Sequence, residues 1–429
     1  MTPIRPSLPG LLRDPKFLPM TFLAFVGLRL AFIFLVPVHD PVSDSAWYFN
    51  RAVTLAEQGT YSERGIPTAY WPVGYPGFLG LLFKITGPSL LAAKLANLVL
   101  AAATFWLLYF FVRRSLGDEL AARGAVMLLT IYPNNAAYVP LLLTETLYTC
   151  LLLGASLCLM TAHAWRNVLL AGAIFGLATL VKTQTIALVP VLAFVAFLDR
   201  WSIGNVGRAA LRSIGVACVA VAVVLPWSLR NLELFGTFVF VSTNGGMNLL
   251  AGNHSRDAAR SGPGQSSVQS AQERIGFSVE DQVGADRRAR QAALAWIAAN
   301  PAEFVKRMPK KVYRMWAVDG EGEWGYQDTP FYDEHRLWFR GVRIVNQAFY
   351  FVMLLLFVAA VWKLAWLRAG PAAWYGVAVV VMLSSISAVI VAASRFHFPV
   401  MPFVLGYVAW FLVRLSGASN RPGAARVSG

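Results

Sequence analysis

Long apolar runs separated by short polar links make up most of the chain. They fall at about 17–37, 88–112, 119–137, 140–161, 167–181, 184–198, 209–229, 343–367, 372–393 and 397–413. Each is near the ~20 residues that a helix needs to cross the hydrocarbon core of a bilayer, with 167–181 and 184–198 on the short side. The pattern predicts an all-α polytopic membrane protein of about ten transmembrane helices. Helices are expected because lipid cannot satisfy exposed backbone polar groups, and the runs lack the alternation of a barrel strand. The apolar segment 76–86 is too short to span, and Pro72, Pro76 and Pro88 bracket it, so it reads as a juxtamembrane helix. The first run does not read as a cleaved signal peptide: its apolar core is too long, and Val36-Pro37-Val38-His39 offers no small-residue cleavage site.

Composition agrees. Of 429 residues, 57% are hydrophobic and 14% charged, with mean hydropathy +0.55, against about 25% charged in a soluble globular chain. A soluble enzyme is excluded. The net charge of +15, from 37 Lys+Arg and 22 Asp+Glu, would point to nucleic acid in a soluble protein, but here it orients the bundle. With a cytoplasmic N-terminus, Arg5, Arg13 and Lys16, then Arg113, Arg114 and Arg123, then Arg166, then Arg200, Arg208 and Arg212, then Lys363 and Arg368, and finally Arg414, Arg421 and Arg426 all fall on the cytoplasmic side. Two polar segments are then external, about His39 to Pro76 and about Arg230 to Arg340. This divides the chain into an N-terminal transmembrane bundle (1–229) carrying the first external loop (39–76), an external region with interfacial helices (230–340), and C-terminal transmembrane helices with a short cytoplasmic tail (341–429).

Within the external region, 252–287 is rich in Gly, Ser, Asn, Asp and Arg, whereas Arg288–Trp316 has helical spacing, with a second helix starting at Pro301. Lys306, Arg307, Lys310 and Lys311 opposite an apolar face fit an interfacial helix touching anionic headgroups, or a surface helix solvated by its lysines. Cys150, Cys158 and Cys218 lie in apolar stretches without metal-ligand spacing and read as packing residues. Gly245-Gly246 lacks Walker or dinucleotide-binding spacing, and no HExxH or nucleophile elbow occurs. The acidic stretch Asp319, Glu321, Glu323 and Asp328 could hold a cation, but its glycine-rich, irregular spacing reads better as a solvated loop.

Candidate chemistry gathers at one face. Arg29, Lys84, Lys94, Glu145, Lys182 and Arg395 are expected near helix ends or the outer boundary, which favours a surface-opening enzyme over a transport path through the midplane. Asp44, just beyond the first run, is suited to a general base toward a hydroxyl, or to capping a helix that begins at Ser45. Trp47, Tyr48, Tyr61, Tyr70, Trp71 and Tyr75 around it suit a sugar or isoprenoid surface, and equally an interfacial aromatic belt.

The first loop's Asp44, Tyr48, Ala52 and Gly59-x-Tyr61, followed by Trp71-Pro72-x-Gly74-Tyr75-Pro76, resembles that of GT-C superfamily membrane glycosyltransferases, related to protein O-mannosyltransferases and lipid A aminoarabinose transferases. Further similarities follow in order: Tyr132-Pro133, Tyr138 to Leu143-Thr144-Glu145, Leu180-Val181-Lys182-Thr183, Leu225-Pro226-Trp227-Ser228-Leu229-Arg230-Asn231, Phe235-Gly236, Ser242-Thr243-Asn244-Gly245-Gly246-Met247-Asn248, Asn300-Pro301 with Lys311 and Trp316, and Arg395-Phe396-His397-Phe398-Pro399. The resemblance implies inverting transfer of a sugar from a polyprenyl-phosphate donor to an acceptor hydroxyl on a glycan, lipid or protein, at the external face of a bacterial inner membrane. It implies Asp44 as base. Many relatives carry a second carboxylate where this chain has Ser45, and Glu145 would supply part of that role or serve as a polar helix-end group. Lys182, Arg230 and Arg395 would hold the donor phosphate, or else snorkel to headgroups. Tyr48, Tyr61, Trp71, Tyr75, Tyr138, Asn231 and His397 would line the substrate surface, although a lone His is more often structural. No metal site is indicated and no nucleic acid is expected; a divalent cation stays open as a cofactor. A lipid or polysaccharide transporter and an external-face polymerase or ligase are the alternative readings.

Overall fold

The computed structural model describes residues 8–36, 41, 43–161, 164–198, 203–254, 267–320, 324–327, 329–367 and 369–417. Arg5, Pro37, Val38, His39, Arg200, Glu321, Glu323, Asp328, Arg368, Arg421 and Arg426, together with 255–266 of the polar external stretch, lie outside the described residues.

Among the described residues, each apolar run is helical over most of its length. In chain order the elements are α1 Leu8–Arg13, α2 Phe17–Leu35, α3 Ser43–Gln58, α4 Gly74–Thr86, α5 Leu90–Ser115, α6 Glu119–Ile131, α7 Pro133–Tyr138, α8 Thr144–Thr161, α9 Trp165–Val181, α10 Thr185–Phe197 and α11 Ile203–Phe235. They continue with α12 Gly245–Gly252, α13 Ser267–Ile275, α14 Gln282–Ala299, α15 Pro301–Trp316, α16 Trp324–Gln327, α17 Pro330–Glu334, α18 Arg336–Trp366, α19 Tyr375–Val389 and α20 Met401–Leu415. The strands among the described residues are Ser62–Glu63 and Ile66–Pro67, paired as a small hairpin in the first loop. Among the described residues, seven helical segments are long and apolar enough to cross a membrane, while α9 and α10 are shorter apolar helices. The short apolar segment 76–86 lies in a helix of its own, α4.

The run 119–137 is not one helix. It breaks into α6 and α7 at Pro133, which has no N–H for the carbonyl of Leu129, four residues earlier. Arg29 fills the gap: its Nη2 donates to Leu129 O (2.8 Å) and to Asn135 Oδ1 (2.6 Å), and its Nη1 to Thr130 O (3.1 Å). The guanidinium also lies 3.5 Å over the Phe25 ring. Arg29 is therefore not a boundary residue as expected; it is fully buried within α2, drawn there by carbonyls with no other donor and by the negative end of α6.

Small residues set a close helix contact. A Cβ on Gly172 or Gly176 would lie 2.6 Å from the Cβ of Val219 or Val223, so this Gly-x-x-x-Gly pair lets α9 lie directly against α11.

The two ends of the bundle differ. Arg123 Nη1 donates to Leu12 O and Asp14 O (both 3.0 Å), and Arg114 to Met160 O (2.8 Å) and Thr161 O (2.9 Å), tying links at one end. At the other end, the first loop, the α7–α8 link, the α9–α10 turn, the region after α11 and the turn before α20 are joined by hydrogen bonds described below. There α12 and α14 pack through Met247, Leu250, Ala285, Ala289 and Ala293, with Tyr70 of the first loop in the same cluster.

Helix α15 is amphipathic as expected, with Lys306 and Lys310 exposed, but Lys311 turns inward. Its Nζ donates to Asn253 Oδ1 (2.8 Å) and to the carbonyls of Val389 and Ile390 (both 3.1 Å), capping the end of α19. A lysine on the headgroup-facing side would have left those carbonyls without this donor.

Replacing Arg29 with Met should strand the carbonyls of Leu129 and Thr130 at a cost on the order of 2–4 kcal/mol. In detergent, the Arg29→Met protein should melt several degrees below wild type, whereas Lys84→Met, at an exposed position of α4, should not; equal melting temperatures would contradict the capping role.

Candidate active site

Asp44 lies in the first turn of α3, which begins at Ser43 and not at Ser45. Its carboxylate does not simply cap the helix: Oδ2 receives Arg395 Nη1 at 2.8 Å. A second ion pair stands beside the first, Lys182 Nζ to Glu145 Oε1 at 3.0 Å, with Thr144 Oγ1 3.2 Å from the other Glu145 oxygen. Glu145 starts α8 and Lys182 ends α9, so the short links at this end of the bundle bring the two together. The pairs differ in access. The Glu145 side chain is 2% exposed, but those of Asp44 and Arg395 are 25% and 32% exposed. Acid and cation therefore meet solvent together at Asp44, while the inner pair is neutralised in place, as a buried carboxylate requires.

One short 3-10 turn, Ser394–Val400, supplies much of the site. Arg395 reaches Asp44; the Phe396 ring lies 5.6 Å from Lys182 Nζ; His397 points into the bundle; and Phe398 stacks on Tyr138 at 4.2 Å. Aromatic side chains from the first loop make the opposite wall. Tyr48 meets Tyr75 and Trp71 edge-on at 5.7 and 6.4 Å, and Trp47 meets Tyr61 at 5.9 Å. Burial, followed by the nearby Asp44 carboxylate, pushes the Tyr48 phenol well above its usual range, and burial does the same to Tyr61. Both stay protonated and act as hydroxyls, not phenolates.

Other candidates from the sequence serve to hold this wall. Arg230 Nη1 donates to Thr68 O (2.9 Å) and Asn231 Oδ1 (3.0 Å), and its Nη2 to Tyr61 O (2.9 Å), while its guanidinium lies 4.6 Å over Trp227. Asn231 Nδ2, Ser228 Oγ and Trp227 Nε1 donate to the carbonyls of Val239 (3.1 Å), Phe240 (2.6 Å) and Val241 (2.8 Å). The end of α11 thus clasps the returning chain on one side and the first loop on the other. Tyr61 donates to Trp71 O (3.0 Å), and Tyr75 to Asn97 Oδ1 (3.2 Å). Asn97 in turn donates to Val139 O (3.2 Å) and Leu141 O (2.9 Å), joining the first loop to the α7–α8 link.

The structure adds two polar residues to the site, Gln282 and Arg51, and moves a third, Asp319, inward. Gln282 accepts from Ala69 N (2.8 Å) and donates to Pro67 O (3.0 Å), stitching the first loop to α14; its position in a polar stretch carries no local signal. Arg51, on the Asp44 face of α3 at i+7, is buried, with Nη1 4.0 Å from Glu63 Oε2 and the guanidinium 5.5 Å over Trp47, while Nε and Nη1 make no hydrogen bond. Asp319 does not lie in a solvated loop as expected. It is 1% exposed and bonded to Tyr132 Oη (2.6 Å), Asn134 and Asn346 (3.2 Å), because donors from the α6–α7 break, α7 and α18 converge on it. His397 joins the same network. Among the described residues, no group of three or more His, Cys, Asp or Glu is placed to hold a metal.

Residues 71–228 match the family model described as dolichyl-phosphate-mannose-protein mannosyltransferase. The matched segment holds Trp71, Glu145, Lys182 and the start of the α11 clasp, but neither Asp44 nor Arg395. No curated protein matches the chain by sequence. Among solved structures, the apo oligosaccharyltransferase of Archaeoglobus fulgidus is similar with TM-score 0.56 at 13% identity, over 94% of this chain and 51% of that one. The same organism's AglB in complex with an inhibitory peptide and a dolichol-phosphate gives 0.51 at 12% identity, over 96% and 52%. ArnT from Cupriavidus metallidurans bound to undecaprenyl phosphate gives 0.45 at 13%, over 93% and 78%. The chain spans about half the length of the archaeal oligosaccharyltransferase, and the likeness to it is one of fold.

Replacing Asn231 with Ala leaves Val239 O and Arg230 Nη1 each short of a partner, at about 1–3 kcal/mol for each buried group left unpaired. Limited proteolysis should cut Asn231→Ala faster than wild type between 236 and 244, and an unchanged digestion rate would rule out the clasp.

Proposed function

We propose, from the premise that this chain is a GT-C-type membrane glycosyltransferase, that it transfers a sugar with inversion from a polyprenyl-phosphate donor to an acceptor hydroxyl, with Asp44 as general base. The observation that carries this reading is the half-open Asp44–Arg395 pair beside Glu145–Lys182, two acids and two cations within one small site, with only the Asp44 carboxylate open to solvent. The acceptor O–H gives its proton to Asp44 as its oxygen attacks the anomeric carbon. The bond from that carbon to the phosphate oxygen breaks, and its electron pair leaves with the polyprenyl phosphate. The leaving phosphate gains one negative charge, which Arg395 and Lys182 are placed to stabilise in a poorly solvated setting. A planar guanidinium can serve a carboxylate and a phosphate on different edges, so Arg395 links base and donor. The dolichol-phosphate bound by the archaeal enzyme of similar fold supports a lipid-phosphate donor here.

Arg230 enters this scheme as the residue that fastens the first loop, with its donors on Tyr61 O and Thr68 O. Glu145 holds Lys182 in place. The acceptor is a glycan, lipid or protein hydroxyl, met at the aromatic wall of Tyr48 and Trp71. Basic residues at the far end of the bundle, among them Arg113, Arg114, Arg123, Arg208 and Arg414, support a cytoplasmic position for that end and an external position for the site, in a bacterial inner membrane. Transport has no comparable support: Arg29, the buried cation within α2, has its amino groups on carbonyls of α6.

Purified, reconstituted Asp44→Asn protein should lose transfer by about 10²–10⁴-fold, while still binding polyprenyl phosphate. Release of polyprenyl phosphate, followed by mass spectrometry, measures the first, and retained release would remove Asp44 as the base. Envelope glycans and lipids compared by mass spectrometry with and without the gene identify sugar and acceptor.

A further inference from the structure

The Asp319 carboxylate takes no part in the chemistry above, yet it is among the most fully bonded groups at this end of the bundle. Oδ1 accepts from Asn134 Nδ2 and faces His397 Nε2 at 3.1 Å; Oδ2 accepts from Tyr132 Oη at 2.6 Å and Asn346 Nδ2 at 3.2 Å. The Asp319 backbone is held as well, with its N–H donating to Gln347 Oε1 (3.1 Å) and its carbonyl accepting from Asn346 Nδ2 (2.9 Å).

His397 is confined in the same way. Its Nδ1 lies 2.5 Å from Met315 O, and its ring is nearly parallel to those of Tyr350 and Trp316, at 4.9 and 5.6 Å. Both ring nitrogens therefore face acceptors. A carbonyl has no proton to give, so Nδ1 carries one; a second proton must lie between Nε2 and Oδ1, since otherwise two lone pairs would oppose each other. A buried pair joined in this way cannot slip without exposing an unpaired acceptor or charge.

His397 stands two residues from Arg395 on the 3-10 turn Ser394–Val400. With about three residues per turn, fixing the direction of one side chain fixes that of its near neighbours. We propose that Asp319 is a positioning residue for Arg395: by holding His397, it sets the angle at which the guanidinium meets Asp44 and the donor phosphate. The segment that follows α15 is thereby coupled to the site across Met315 and Asp319. This inference rests on the reading of Arg395 as a phosphate ligand.

A double-mutant cycle read on the Kd for polyprenyl phosphate in detergent, with melting temperature recorded alongside, tests it. Asp319→Asn and Arg395→Gln should each weaken binding by about tenfold or more, and the double variant should bind within about twofold of Arg395→Gln alone. Additive losses, or an Asp319→Asn protein that binds like wild type, would overturn the positioning role while leaving the phosphate reading intact. An Arg395→Gln protein that binds like wild type would overturn the phosphate reading and this proposal with it. If Asp319→Asn does not fold, Tyr132→Phe removes one bond to the carboxylate and keeps its charge. Its smaller loss should likewise vanish in the Arg395→Gln background, and a loss that persists there overturns the proposal.

Discussion

The turn 394–400 is where the demands on this end of the bundle meet. It is short, and its successive side chains radiate to different neighbours: Arg395 to the first loop, Phe396 to Lys182 at the end of α9, His397 to the segment after α15, and Phe398 to Tyr138 in α7. None of these contacts can move far without disturbing the others. Behind the half-open ion pair at Asp44 lies the buried network of His397 and Asp319.

A second constraint runs through the membrane-spanning part. Wherever a helix ends or breaks inside the bundle, its last carbonyls need donors that lipid cannot provide. Long polar side chains do this work: Arg29 for α6, broken by Pro133; Lys311 and Asn253 for the end of α19; Asn97 for the link between α7 and α8. Several cations that look in sequence like boundary or headgroup residues are donors to the main chain. The polar residues that remain at the site, Asp44, Glu145, Lys182 and Arg395, pair with one another instead.

The first loop has few contacts of its own to fold on, since its strands are two residues each. Its shape comes from outside. Arg230 grips the carbonyls of Tyr61 and Thr68, Gln282 grips Ala69 and Pro67, and Tyr61 and Tyr75 tie the loop's end to neighbouring main chain and to Asn97. The proposed base therefore sits on a helix whose following loop is shaped by α11 and α14, elements more than a hundred residues away in the chain. In the 225–231 segment, Trp227, Ser228, Arg230 and Asn231 all donate to main-chain carbonyls of this region.

The sequence by itself determined the membrane class, where the apolar helices lie and the short helix α4, though not the break between α6 and α7, because burial in lipid demands long apolar runs and leaves its record in composition. It also placed Asp44, Glu145, Lys182 and Arg395 at one end of the bundle, since alternating spans leave little freedom there. Only the tertiary structure decided which polar side chain serves which acceptor. Asp319 lies in an acidic, glycine-rich stretch and Lys311 on a basic helix, and nothing local distinguishes them from solvated neighbours; each is turned inward by orphan donors or carbonyls that arrive from distant helices. A polar side chain's role depends on its partners, and partners far apart in sequence become visible only once the chain has folded.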